Sequence, residues 1–124
     1  KQLASEGEDR LNDGLRVLIF PEGTRVPYGQ MGKFSRGGAA MAVNAGLPVL
    51  PIAHNAGKCW PRDTWIKQPG TIQIVVGAPM YAEGSGPRAI AELNERAYLW
   101  VRERQIELGA LPADAAMVSS TAEE

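Results

Sequence analysis

The run Leu15-Arg16-Val17-Leu18-Ile19-Phe20, stopped by Pro21, most narrows what this chain can fold into. It is β-rich, and apolar residues fall on both alternating faces. Such a strand needs cover above and below its sheet, which is the condition of strands in α/β proteins. The rest of the chain supplies that cover. Residues 2–12 read as the end of an amphipathic helix with Leu3, Ala4 and Leu11 as sparse apolar positions, stopped by the turn Asn12-Asp13-Gly14. Ser35 stands at an N-cap ahead of a second helix, rich in small residues, that runs to Ala45 and ends at Gly46.

Leu47-Pro48-Val49-Leu50-Pro51-Ile52-Ala53 reads as a second buried strand, and its two prolines assign it to a sheet edge or an irregular path. Thr71-Ile72-Gln73-Ile74-Val75-Val76-Gly77 is the clearest strand, β-branched through its middle. Residues 88–108 predict a long helix with Ile90, Leu93, Ala97, Trp100, Val101 and Leu108 on one side and a Glu92–Arg96 pair outside. The order helix, strand, helix, strand, strand, helix gives an α/β fold with a partly parallel sheet flanked by helices.

With 124 residues there is room for a single domain or part of a larger one. A net charge of −1 provides no global field for nucleic acid or anionic lipid, so an anion site has to be local. One cysteine, Cys59, excludes an internal disulfide and a cysteine-rich metal site. Neither a spanning helix nor a signal peptide is read from the sequence, and the opening without Met, in helix-like sequence, reads as part of a longer protein.

The chemistry is densest directly after the first strand. Pro21-Glu22-Gly23-Thr24-Arg25 places a carboxylate, a flexible glycine, a hydroxyl and a guanidinium at the carboxyl edge of a sheet, where open α/β folds bind ligands. Arg25 offers a planar fork of donors to phosphate oxygens, Gly23 permits close backbone approach, and Thr24 adds a hydroxyl. Lys33 and Arg36 flank the start of the second helix, whose unpaired N–H groups favour an anion. The candidate substrate-binding set is therefore Glu22, Gly23, Thr24, Arg25, Lys33 and Arg36. The competing reading of Glu22 and Arg25 alone is an ordinary surface ion pair.

Val17-Leu18-Ile19-Phe20-Pro21-Glu22-Gly23-Thr24-Arg25 resembles the third signature block of the 1-acyl-sn-glycerol-3-phosphate acyltransferase family. Leu47-Pro48-Val49-Leu50-Pro51 resembles its fourth block, and Gly32-Lys33-Phe34-Ser35-Arg36-Gly37 is similar to the basic region between them. The resemblance implies that residues 1–110 are the C-terminal part of an acyltransferase domain, followed by a flexible tail over 111–124. It implies transfer of an acyl group from acyl-CoA or acyl-ACP to the sn-2 hydroxyl of lysophosphatidic acid, with no cofactor and no metal. It further implies a complete protein at the cytoplasmic face of the membrane, attached through segments outside this chain. Relatives that acylate another lysolipid, or a non-catalytic anion- or lipid-binding module, are the alternatives.

Two departures limit what these residues do by themselves. The family's His-x4-Asp block, which supplies the general base, precedes the Glu-Gly-Thr-Arg block, whereas the one histidine here, His54, follows it and has no Asp at the matching spacing. A Gly-x-x-Phe-Ile-x-Arg block is also absent, and Val26 stands where many relatives carry Ser. His54 is accordingly read as structural, with Cys59 and Trp100 as packed residues. For Trp60 and Trp65 packing over the sheet is preferred to contact with an acyl chain or a membrane interface.

Overall fold

The computed structural model describes residues 2–118. In chain order it forms α1 (Gln2–Asn12), α2 (Gly37–Ala45), β1 (Ile52–His54), a short 3₁₀ turn (Ala56–Lys58), β2 (Ile74–Val76) and α3 (Gly86–Glu107). The helices fall where their periodicity predicts. Gly46 closes α2 in the left-handed region at φ 67°, and its C-terminal carbonyls are satisfied when Gly46 and Leu47 donate to Val43 and Ala42. The N-cap of α2 is Arg36, one residue beyond the expected Ser35, whose hydroxyl accepts from the Gly37 N–H at 3.3 Å.

Two glycines, Gly7 in α1 and Gly38 in α2, allow close approach on two sides of α2. A Cβ at Gly7 would run into the Met41 sulfur, so α1 lies directly on α2. On its other side a Cβ at Gly38 would meet Ile19 Cδ1 at 3.1 Å. The core then gathers around α3. Phe34 meets Tyr98 edge-on with ring centroids 5.3 Å apart, and Met31, Ala53, Val101 and Leu111 complete that cluster. Leu93, fully buried, packs with Ala39 and Ala42 of α2. Trp100 lies over Gly77, where a Cβ would come within 2.6 Å of the indole. The Glu92–Arg96 pair forms at 3.7 Å.

β1 and β2 pair antiparallel, with Ile52 opposite Val76 and His54 opposite Ile74. Asn55 extends the pairing: buried, it accepts the Gln73 N–H at 2.8 Å and donates its side-chain amide to Gln73 Oε1 at 3.3 Å. A further bridge joins Val49 to Met80, so the proline-containing segment 47–53 pairs intermittently, as an irregular edge should. This is the sheet the described residues contain. β1 is shorter than its apolar run, where Pro48 and Pro51 lack ladder donors.

The strand expected at 15–20 does not form among the described residues. The segment keeps a strand's alternation, with Val17 and Ile19 36% and 37% exposed while Leu18 and Phe20 are 73% and 72% exposed. Its inner face rests on α2, but a strand is held by ladder hydrogen bonds from a neighbour, and no described residue forms a ladder with it. Between this segment and residues 47–52 lies an open apolar groove of about 810 Å³, with α2 and α3 at its base. Of the tail expected over 111–124, residues 119–124 lie outside the described residues. Leu111 is buried, and the Val118 N–H donates to the Tyr98 hydroxyl at 3.0 Å.

Candidate functional site

Pro21 ends the first apolar segment, and the chain turns at once: Gly23 donates its N–H to the Phe20 carbonyl at 3.0 Å and takes φ 71°, a conformation that demands glycine. Two further bonds hold this turn against the stretch before α2. The Ser35 N–H donates to the Pro21 carbonyl at 2.8 Å, and the Gly32 N–H to Glu22 Oε2 at 2.7 Å. The turn and the segment carrying Lys33 and Arg36 are thereby brought together beside the N-terminus of α2. Lys33 and Arg36 are half-buried there, and Thr24 is exposed.

The Glu22 carboxyl faces the loop rather than solvent. Burial raises its pKa above the ordinary 4.5, opposed by the Gly32 N–H and by the nearby charge of His54. Its observed contact is structural, bracing the loop that spans residues 22–32.

Arg25 reaches across to a segment far along the chain. Its Nη2 donates to the Trp60 carbonyl at 2.8 Å and to that of Pro61 at 3.4 Å, and its guanidinium carbon lies 5.2 Å from the centroid of the Trp60 ring. Both hydrogen bonds use Nη2, the nitrogen shared by the two bidentate edges of the guanidinium, so an oxyanion would meet the Nη1 and Nε donors singly. No local spacing announces this clasp, since it joins residues 35 and 36 positions apart.

His54 ends β1 on the surface, and its Nδ1 accepts the Ala56 N–H at 3.1 Å, capping the following turn. This is the structural role read from the sequence. Cys59 is buried. Among the described residues no group of three His, Cys, Asp or Glu side chains is placed to hold a metal ion, and no helix is long and apolar enough to cross a membrane. Trp60 and Trp65 do not pack over the sheet: they are 43% and 96% exposed. Within the loop the Trp60 indole N–H is held by the Thr64 carbonyl, and Asp63 pairs with Arg62.

A family model described as Acyltransferase matches residues 1–55. A 1-acyl-sn-glycerol-3-phosphate acyltransferase of Pseudomonas aeruginosa is 67% identical over 111 residues, covering 90% of this chain and 43% of that protein. The 1-acyl-sn-glycerol-3-phosphate acyltransferase alpha of Mus musculus is 34% identical over 87 residues, covering 68% of this chain and 30% of its own length. The chain thus spans less than half of each of these relatives. Among solved structures, the 1-acyl-sn-glycerophosphate (LPA) acyltransferase PlsC from Thermotoga maritima superposes with a TM-score of 0.77 at 29% identity, over 86% of this chain and 44% of that one. That likeness makes the helices and small sheet an incomplete α/β acyltransferase fold. With the Pro21-to-Arg25 turn in place and this identity across nine-tenths of its length, the chain belongs to the 1-acyl-sn-glycerol-3-phosphate acyltransferase family.

Proposed function

We propose that the complete protein transfers an acyl group from acyl-CoA or acyl-ACP to the sn-2 hydroxyl of lysophosphatidic acid, giving phosphatidic acid at the cytoplasmic face of the membrane. The observation that carries this reading is the 67% identity to a named enzyme of that type across 90% of the chain. In the reaction the sn-2 oxygen attacks the thioester carbonyl, the hydroxyl proton passes to a general base, and the thiolate leaves as the carbon–sulfur bond breaks. His54 is not that base, because its Nδ1 is engaged by the Ala56 N–H and it follows the signature turn. The residues here position the acceptor.

Arg25 meets the phosphate with its Nη1 and Nε donors, its guanidinium already oriented by the carbonyls of Trp60 and Pro61. Gly23 and Thr24 supply close backbone and a hydroxyl, and Lys33, Arg36 and the N-terminus of α2 add positive potential. Glu22 serves the site by holding Gly32.

The test is Arg25→Ala in the complete protein. We expect the KM for lysophosphatidic acid to rise about tenfold or more, the usual scale for losing a charge-assisted pair, with a smaller change in KM for the acyl donor. An unchanged acceptor KM would remove Arg25 from the site. Acylation of a different lysolipid in preference would redirect the reading within the family. The chain alone should bind glycerol 3-phosphate without turnover.

A further inference from the structure

The segment 59–68 is a closed loop with its own internal scaffold. The Gln68 N–H donates to the Cys59 carbonyl at 2.6 Å and shuts its base. Inside it, the Trp60 indole N–H donates to the Thr64 carbonyl at 3.0 Å, and the Thr64 hydroxyl accepts the Ile66 N–H at 3.0 Å. Lys67 Nζ stands 4.5 Å from the Trp60 ring centroid, opposite in sequence to the Arg25 contact on the same ring. Asp63 turns the chain with φ 63°, a left-handed conformation that Asp tolerates.

This scaffold does not bury the tip. Trp65 is 96% exposed and Ile66 68% exposed, although every polar group that would orient them is in place. Two large apolar side chains held outward by a braced loop are costly in water unless a partner receives them. The charge around them names the partner. Between residues 56 and 70 stand Lys58, Arg62 and Lys67 against one carboxylate, Asp63, which is 3.3 Å from Arg62. In a chain whose net charge is −1, this is a local excess of cationic charge in the segment that carries an aromatic and an aliphatic tip. Tryptophan with flanking Lys and Arg suits the headgroup level of a bilayer, where the ring meets the acyl boundary and the cations meet anionic phosphates.

We propose that the loop 59–68 docks this chain on an anionic phospholipid surface, with Trp65 and Ile66 entering the interface. The chain itself then touches the membrane, independently of any segment outside it. Because Arg25 is fastened to the carbonyls of Trp60 and Pro61, docking holds its guanidinium close to the headgroup layer.

The test uses this chain with vesicles of phosphatidylcholine alone or mixed with phosphatidylglycerol, free of lysophosphatidic and phosphatidic acids, with the bound fraction measured by co-sedimentation. We expect binding to the mixed vesicles, weakened by salt, and little to phosphatidylcholine alone. The double variant Trp65→Ala, Ile66→Ser should lower the partition constant roughly tenfold or more while its thermal unfolding stays that of the parent, since both side chains are exposed. Equal binding by parent and variant, or equal binding to both vesicle types, overturns the proposal. So does loss of binding with Leu18→Asn, Leu50→Asn, which would move the contact to the groove. Failure of the complete protein to acylate lysophosphatidic acid would leave these vesicle results unaffected.

Discussion

Two apolar regions of this chain look alike in sequence and end differently. On α3 and the adjoining sheet, Leu93, Tyr98 and Ala53 are 0%, 2% and 1% exposed. Along the groove, Leu15, Leu18 and Leu50 are 52%, 73% and 51% exposed. The residues are equally apolar, so composition does not separate them. What separates them is the presence of a second surface: α3 meets α2, Phe34 and β1, whereas residues 15–20 have α2 on one face and no ladder partner among the described residues. An apolar run states a demand for cover, and only the rest of the fold shows whether it is met.

The sharpest way to break this contrast is a matched pair of truncations followed by denaturant unfolding. Leu93→Ala should cost about 3 kcal/mol or more, because it opens a cavity at a fully buried site. Leu18→Ala should cost less than about 0.5 kcal/mol, because that side chain is already in water. Comparable losses would mean that the groove is covered in solution. Gly77→Ala comes next, at about 2 kcal/mol, since its Cβ would stand 2.6 Å from the Trp100 indole and 2.9 Å from Pro51 Cγ on the buried side. A neutral result would show that Trp100 can withdraw and that the packed region is looser than the contacts imply.

The smallest effect concerns Glu22, at the border of the two regions. Its carboxyl pKa is raised in the fold, chiefly by burial, so the folded chain binds this proton more tightly than the unfolded chain. That stabilisation is complete below the unfolded value near 4.5 and is lost as pH rises through the folded pKa. Glu22→Gln keeps an acceptor for the Gly32 N–H and removes the titration, so stability measured upward from pH 4.5 should fall less steeply in the variant. An identical slope would place the carboxyl in solvent.

The helices were legible because each carries its own signal: apolar spacing along 86–107, a left-handed glycine at Gly46, small residues in α2. The signature turn was legible because proline and glycine fix its backbone locally, and its approach to Lys33 and Arg36 follows from chain proximity. The failure at 15–20 came from the one kind of structure that is never local, a ladder needing a partner. Tyr98 was overlooked on α3 for a related reason: its ring finds Phe34, and its hydroxyl finds Val118, across long sequence separations. Asn94 also broke the apolar pattern of α3 in sequence, and the structure explains it, since its buried amide donates to the Phe34 carbonyl at 3.1 Å. Sequence assigns Trp60 and Trp65 to packing because tryptophan usually packs. The polar bonds that brace their loop outward join specific atoms of Thr64, Cys59 and Arg25, and no spacing announces them.

Cys59 sits at the hinge of all this. Its thiol is buried, a Cβ at Gly70 would lie 3.1 Å from its sulfur, and its own carbonyl receives the bond that shuts the loop 59–68. Being the sole sulfhydryl in the chain, it acts as a chemical stopwatch. An alkylating reagent can reach it only in the moments when the loop base parts, so the labelling rate counts those openings, and a phosphate ligand that steadies Arg25 from 35 residues away should slow the clock.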